Sequence, residues 1–468
     1  MTTTQVSTTA AETVAALVAR ARAAQAVFEG YDQRRVDDVV AGVAWAIYQP
    51  DRAKELAELA VRDTGLGRVA DKVAKNQRKT MGTLRDLTGA KSVGVISEDP
   101  ATGITEYAKP VGVVAAVCPS TNPAATPANK TMMALKGRNA VILSPSPKGE
   151  STCRLLVEHI HAELDKVGAP RDLVQYVEGA SKELTHELMR QADLVVVTGS
   201  QRNVRQAYRS GTPAIGVGAG NAPVIIDADA DVADAAEKIR RSKTFDYATS
   251  CSSENSVHIH ADVYRQALNA LREQGGYLLT GEEKQRLRAV MWPDGKLSSA
   301  VTAQPPDKIA ALAGLDAPGA EFFMVEEDGV GPDHPFSGEK LSVVLTVYRF
   351  TDLEQALSRI QLLLDHQGAG HSCGIHTRTE EHARLVASRL KVARVLVNQA
   401  HCFGTGGSFD NGLGFTLTMG AGTWAGNSIS DNLSYRHFLN ITRLARVIEP
   451  RVPTEEQLWG HYFDSYGR

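Results

Sequence analysis

The 468-residue chain has only five cysteines, Cys118, Cys153, Cys251, Cys373 and Cys402, and no C-x-x-C pair among them. An odd number at wide spacing argues against a disulfide framework and a thiol-built zinc cage, and fits a reducing cytoplasm. Positive charge is not in excess either. The formal net charge is -3, so the broad basic field that holds a phosphate backbone is missing and nucleic acid is not an expected partner. No run approaches the roughly 20 apolar residues of a membrane span; the longest, VGVVAAVCP and LVVVTG, have strand length. The amino-terminal stretch has no basic cluster ahead of an apolar core, and Arg20 and Arg22 interrupt its helical run, so no export signal is read there. Internal repeats and low-complexity tracts are also lacking. These absences point to a soluble cytoplasmic protein, and 43% hydrophobic content over this length allows two substantial cores.

What is present is regular alternation. Residues 10 to about 90 place apolar residues at three- and four-residue spacing, which predicts helices. KSVGVISEDPATGITEYAKPVGVVAAVCP alternates about the turn Asp99-Pro100-Ala101-Thr102-Gly103. That predicts a hairpin, about 92-110, exposed enough to serve oligomerisation and leading into a buried strand. From Val111 to Asp227, helices separate the strands VGVVAAV, NAVILSP, DLVQYVEG, DLVVVTG, AIGV and PVIID, a pattern that demands parallel crossovers. A second α/β run spans about 228-425, with strands near SVHIH, EFFMV, LSVVLTVY, SCGIHT and RVLVNQ. Within it Thr351 with Glu354, and Thr377 with Glu380, read as capping boxes. The expected fold class is α/β: doubly wound domains over 1-227 and 228-425, and a C-terminal oligomerisation arm over 426-468 that carries four arginines from Arg436 to Arg451.

Ligands of a doubly wound sheet meet the carboxyl ends of its strands. Four loops sit there in the first domain, and they offer Pro119, Ser120, Thr121 and Asn122, then Ser144, Pro145, Ser146 and Lys148, then Gly179, then Thr198, Gly199 and Ser200. No carboxylate stands at the strand end of SPSPKG to hold a ribose 2′-hydroxyl and repel a 2′-phosphate. Ser144, Ser146 and Lys148 there could accept NADP or the 3′-phosphate of coenzyme A, or simply start a solvated helix. Gly216, Gly218 and Gly220 in GVGAGN do not follow the dinucleotide fingerprint in its strand-turn-helix setting.

Most lone cysteines are small core hydrophobes, and Cys118, Cys153 and Cys373 sit inside apolar patterns. Cys251 differs. Thr249, Ser250, Ser252, Ser253 and Glu254 surround it at a helix-to-strand junction, where substrate and backbone N–H groups can reach a thiol. Cys402, in the loop AHCFG, is the second candidate nucleophile. Asn122 can aim its amide at an oxyanion beside the cysteine, or make an ordinary Asn-Pro turn. His371 in GAGHSCGIHT leads a strand and is either a base or a satisfied structural histidine. His258 and His260 share a strand face, and His159 and His161 are too close on a helix to share a side. Neither pair has thiol or carboxylate ligands at metal spacing, so no metal is expected.

Read in order, KPVGVVAAVCPSTNPAATPANKTMMALKGRNAVILSPSPKG, LVVVTGS, AYRSGTPAIGVGAGNAPVIID, KTFDYATSCSSENSV, GEKLSVVL, GAGH and GAGTWAGNSISDNL resemble the CoA-acylating aldehyde dehydrogenases over most of the chain. CPSTNPAATPANKTMMALKGRNA and ATSCSSENSV are most similar to the acylating sulfoacetaldehyde dehydrogenases within that family. The resemblance implies an aldehyde dehydrogenase-like fold and a cysteine that adds to an aldehyde. In that scheme Asn122 and the Cys251 N–H stabilise the oxyanion, hydride passes to NADP or NAD, and coenzyme A collects the acyl group. It further implies that Thr198, Gly199 and Ser200 line the cofactor crevice, that Glu339 holds the nicotinamide ribose, and that His371 serves acyl transfer. Hydrolytic relatives carry a water-activating glutamate in an E-L-G-G-K-x-P turn; the same alignment puts Val217 there, followed by Gly218. Valine cannot take a proton, so water should be a poor acceptor.

The chain departs from the family at Ser146, where many acylating members have histidine, and at Val343, where they have proline. Its end near Arg468 leaves no room for the fused iron-dependent alcohol dehydrogenase of bifunctional members, and its early first helix leaves none for a microcompartment-targeting extension. The expected substrates are a short polar aldehyde, sulfoacetaldehyde first, and coenzyme A. Arg202, Arg205 and Arg209 offer a counter-charge, and the expected assembly is a homodimer or homotetramer. The alternatives are a hydrolytic dehydrogenase that releases free acid and an inert nucleotide-binding scaffold.

Overall fold

Four helices open the chain. Thr9 begins the first, Ala10–Glu29, through a capping box with Glu12, and a proline at its first turn sets off Pro50–Thr64. Between them runs Gln33–Tyr48, whose valines and Ile47 face inward. The fourth, Val69–Leu87, inverts the usual amphipathic rule: Lys72, Lys75, Asn76 and Lys79 recur at helical spacing and all are buried. The structure, a computed structural model, describes residues 9–468. Residues 1–8, part of the segment read as free of an export signal, lie outside it. No described helix is long and apolar enough to cross a membrane.

Strands β1 (Gly94–Asp99) and β2 (Ile104–Pro110) form the expected antiparallel hairpin. The first parallel sheet follows: β3 (Val113–Val117), β4 (Ala140–Ser144), β5 (Val174–Tyr176), β6 (Leu194–Thr198) and β7 (Ala214–Val217), in the order β5-β4-β3-β6-β7. Helices Ala125–Lys136, Glu150–Lys166, Lys182–Gln191 and Gln201–Tyr208 make its crossovers. The second sheet contains β8 (Ala222–Ile226), β9 (Glu254–His260), β10 (Gly276–Leu278), β11 (Phe322–Glu326), β12 (Val344–Phe350), β13 (Cys373–His376) and β14 (Val395–Val397), in the order β10-β11-β12-β9-β8-β13-β14. Every pairing in it is parallel. The last strand, β15 (Leu439–Ala445), returns to pair with β2 and makes the hairpin three-stranded.

Two features depart from the sequence reading. The segment PVIID, read as the last strand of the first domain, is β8, and it sits beside β9 near the middle of the second sheet. The passage between sheets is therefore Gly218–Asn221 rather than a boundary at 227. The two proposed capping boxes also fail. Asp352, one residue past Thr351, caps Leu353–His366 by accepting the Gln355 N–H at 2.9 Å. Thr377 instead donates its hydroxyl to Asp227 and Asp229, at 2.9 and 2.8 Å. In the first case a carboxylate outcompetes the threonine hydroxyl as acceptor of the helix-end N–H; in the second, carboxylates take the threonine hydroxyl itself.

Because both sheets are parallel, each has one carboxyl edge and one amino edge. The loops after β3, β4 and β6 leave the carboxyl edge of the first sheet, whereas the segments that enter β8, β9, β12 and β13 reach the amino edge of the second. The core under the first sheet includes Leu433 and Phe438 from far down the chain, so the C-terminal segment closes back over it.

Gly67 shows how tightly the helical layer meets the second half. Its φ is +79°, and a Cβ there would collide with the Asp246 carboxylate, while Gly65, also left-handed at +68°, faces open space. We expect Gly65→Ala to cost about 1 kcal/mol of stability and Gly67→Ala more than about 2 kcal/mol, read as urea or thermal unfolding midpoints. Equal shifts in the two variants would contradict this packing.

Candidate active site

Adjacent parallel strands bring their entry loops together, and β9, β8 and β13 are neighbours. Cys251 precedes β9, Gly220 precedes β8 and His371 precedes β13, so topology alone gathers them. His371 Nε2 lies 3.3 Å from Cys251 Sγ, and its Nδ1 lies 2.6 Å from Ser372 Oγ. Burial, then Arg394 and His401, push His371 down to about 3. The ring is thus neutral and able to accept a proton. Burial, then the Glu339 carboxylate, push the Cys251 thiol up to about 12. The resting pair is therefore uncharged.

Arg394 braces this corner from behind. It donates to the carbonyls of His371 and Gly420, at 3.0 and 2.7 Å, and burial lowers it to about 10. Glu339, from the loop ahead of β12, accepts the Gly220 N–H at 3.0 Å, and burial raises it to about 8. Gly220 has to be glycine because a Cβ would collide with the Cys251 carbonyl. A small, partly enclosed pocket of about 10 Å³ lies against the thiol, lined by Lys243, Asn255 and Glu339 among others. Lys243 is buried and lowered to about 7, chiefly by that burial.

The loop after β3 supplies Asn122, and the buried lysines of helix Val69–Leu87 tie it to the cysteine's turn. Lys75 Nζ donates to Asn122 Oδ1 at 2.8 Å, to Asp246 Oδ2 at 2.6 Å and to Thr249 Oγ1 at 3.1 Å. Lys72 bonds the Thr121 carbonyl at 2.9 Å and the same Asp246 oxygen at 3.0 Å. Asp246, Tyr247 and Ala248 all have positive φ, 52°, 50° and 59°, a conformation that non-glycine residues hold only when their surroundings impose it. Here the Asp246 N–H is held by Asp71, and the Arg68 N–H by Asp246, each at 2.8 Å.

The remaining sequence candidates spread along the first sheet's carboxyl edge. Thr198 Oγ1 lies 2.7 Å from Thr418 Oγ1, Gly199 leaves open space where a side chain would be, and Ser200 caps Gln201–Tyr208. Ser144 bonds Thr185 at 2.9 Å, Pro145 is buried, and the buried Ser146 hydroxyl has no partner. Lys148 lies on an open cleft of about 520 Å³ with Arg154 and Glu178. Gly179 gives its N–H to Glu150 at 2.7 Å. Val217 ends β7 and is buried, and Gly218 abuts Gln201. Pro119 follows β3, and Ser120 opens the turn that holds Thr121.

The structure thus brings Cys251, His371 and Glu339 together and links Asn122 to them through Lys75. Arg202, Arg205 and Arg209 are exposed and have no contact with this cluster, which corrects their reading as a counter-charge. Cys402 is buried in a short helix, His401–Gly404, rather than a loop, and burial raises it to about 12. Sequence reasoning missed Lys72, Lys75, Asp246 and Arg394. The only signal was lysine recurring on one face of the fourth helix, which reads as a solvated stripe until the partner carboxylate is known.

Residues 1–290 match the aldehyde dehydrogenase family. The chain is 59% identical over 463 residues to the sulfoacetaldehyde dehydrogenase (acylating) of Cupriavidus necator, covering 98% of this chain and 94% of that protein. It is 43% identical to the enzyme of the same name from Bilophila wadsworthia, over 98% of this chain and 100% of that one. Among solved structures, an acetylating aldehyde dehydrogenase from Geobacillus thermoglucosidasius superposes with a TM-score of 0.91 at 34% identity, covering 95% of this chain and 98% of that one.

The charge of Glu339 acts on the thiol only when the carboxylate is ionised, which the value of about 8 places above neutrality. Removing it should lower the thiol's pKa and raise the thiolate fraction. Glu339→Gln is expected to speed iodoacetamide alkylation of Cys251 about three- to tenfold at pH 9.5 and to leave it unchanged at pH 6.5. A uniform change at both values would show that the carboxylate acts by packing instead.

Proposed function

The chain belongs to the aldehyde dehydrogenase family, and from that premise we propose that it oxidises sulfoacetaldehyde, or a similarly short anionic aldehyde, to its acyl-CoA with NADP or NAD. The observation that carries this reading is the neutral pairing of Cys251 Sγ with His371 Nε2 at 3.3 Å, beside a β7 end occupied by the buried, proton-inert Val217. A nucleophile and a proton acceptor are in place, and no carboxylate stands at the position assigned to a water-activating base.

The residues fit a nicotinamide dinucleotide. Ser146 presents an unpartnered hydroxyl, Gly199 leaves room for close approach, and Glu339 commits one carboxylate oxygen to Gly220. Pro119, Ser120, Thr121, Ser144, Pro145, Ser146, Lys148, Gly179, Thr198, Gly199, Ser200, Val217 and Gly218 would line its crevice, with Glu339 on the ribose hydroxyls. When bound, the oxidised nicotinamide supplies a hydride acceptor.

Cys251 adds through sulfur to the aldehyde carbon, and its proton passes to His371 Nε2. A thiol near 12 and an imidazole near 3 do not exchange a proton at rest. The transfer therefore accompanies S–C bond formation rather than preceding it. The Asn122 amide and the Cys251 N–H donate to the oxyanion. Loss of hydride leaves a thioester on Cys251. His371 Nε2 first gives the proton from Cys251 up to solvent and then takes the proton of the coenzyme A thiol, whose sulfur attacks the carbonyl; the Cys251 sulfur departs and is reprotonated by His371. Lys72 and Lys75 share the single carboxylate of Asp246, so this wall of the site is net positive and suits an anionic aldehyde.

The five thiols are all free, consistent with a reducing, cytoplasmic setting. We also assign the β1-β2-β15 sheet and the C-terminal arm to a homo-oligomeric contact. Val447 and Val452 are exposed there, and helix Glu455–Tyr466 exposes Leu458, Trp459, Tyr462 and Tyr466, more apolar surface than a lone protomer ordinarily shows. Light scattering should give a mass that is a multiple of 50.3 kDa, and truncation after residue 438 should reduce it to one copy.

Intact-mass spectrometry of enzyme with aldehyde and NADP, without coenzyme A, should find an acyl adduct on Cys251 that is lost in Cys251→Ala. Sustained turnover should require coenzyme A; brisk turnover without it would establish the hydrolytic reading. Asn122→Ala should lower kcat by about 10² to 10³.

A further inference from the structure

We propose that Lys75 is the positioning residue for the oxyanion donor: it fixes which end of the Asn122 amide faces the reacting carbon. The inference rests on the reading of Asn122 as that donor. A primary amide is nearly symmetric in shape, and its two ends do opposite things. The NH₂ end stabilises an oxyanion, whereas the carbonyl end repels it. Something must therefore choose between them, and a partner that can both donate and accept would not.

A lysine ammonium has three donors and no acceptor. At 2.8 Å it can take only the Asn122 oxygen, which leaves the NH₂ group on the other side. Among the described residues no acceptor takes those two hydrogens. The ammonium itself has little freedom, because its three N–H groups go to three different residues, Asn122, Asp246 and Thr249, at 2.8, 2.6 and 3.1 Å. Thr249 in turn donates to Asp246 at 2.7 Å. Thr249, two residues before Cys251, keeps this bond to Asp246 without Lys75, so the nucleophile's turn has a tie that the donor's loop lacks. The loop after β3 and the turn before β9 belong to different sheets, and the lysine belongs to neither.

A purely structural lysine would hold the left-handed run at Asp246–Ala248 and affect Cys251 whether or not Asn122 is present. A double-mutant cycle separates the two roles. Lys75→Met leaves Asp246 paired with Lys72. It should slow single-turnover acylation of Cys251 about 10- to 100-fold, less than loss of the whole donor, with KM and iodoacetamide alkylation of Cys251 within about threefold of wild type. In the Asn122→Ala background the same change should cost less than about threefold.

If the two losses multiply, Lys75 acts independently of Asn122; the proposal is overturned and the oxyanion reading stands. If Asn122→Ala leaves acylation unchanged, the oxyanion reading fails and takes this proposal with it. Should Lys75→Met not fold, Lys75→Gln provides the second variant. Its amide can donate or accept, so it no longer dictates the orientation of Asn122; wild-type acylation in that variant overturns the proposal.

Discussion

The arrangement of the site depends on one buried ion cluster, Asp246 between Lys72 and Lys75. Asp246 is fully buried and the two lysines nearly so. Taking such charges out of water is costly, and a cluster of this kind is a poor device for stability alone. Its effect here is geometric. Burial opposes the charged forms, lowering Lys72 to about 8, yet the two lysines hold Asp246 below its ordinary value against its own burial. Removing Asp246 would strand two buried lysines, at about 3 to 5 kcal/mol, whereas losing one lysine leaves the carboxylate paired with the other. Three segments remote in sequence are thereby held in one register: the fourth helix, the loop after β3 and the turn before β9.

That register matters because the two sheets contribute different edges. The first offers its carboxyl edge, where strand ends and helix starts suit a nucleotide. The second offers its amino edge, where Cys251, Gly220, Glu339 and His371 arrive just before their strands begin. The carboxyl-edge rule locates only half of such a site. The other half follows from strand order, since β8, β9 and β13 are side by side and their entry loops have nowhere else to meet.

The strand-helix alternation made nearly all strands legible, and the polar island around Cys251 singled out the proposed nucleophile from residue types alone. Failures have common physical causes. β10 is three residues at a sheet edge, too short to show alternation. The assignment of β8 to the wrong sheet came from its nearness in sequence to β7, whereas pairing is settled in space. Thr351 and Thr377 have the spacing of caps, but Asp352 and the pair Asp227 and Asp229 outcompete them. Lys75 was invisible for a deeper reason: a buried cation is readable only with its counter-charge, and Asp246 lies 171 residues away.

The contact between Glu339 and the thiol has a further consequence. Burial keeps the sulfur protonated and therefore inert toward oxidants and stray electrophiles, and above about pH 8, where Glu339 ionises, its carboxylate adds to that restraint. Hydroxyl groups donated to that carboxylate would spread its charge and release the sulfur from this restraint. On the proposed role of Glu339 at the ribose, that relief would accompany arrival of the dinucleotide and leave the sulfur of the empty enzyme the more restrained.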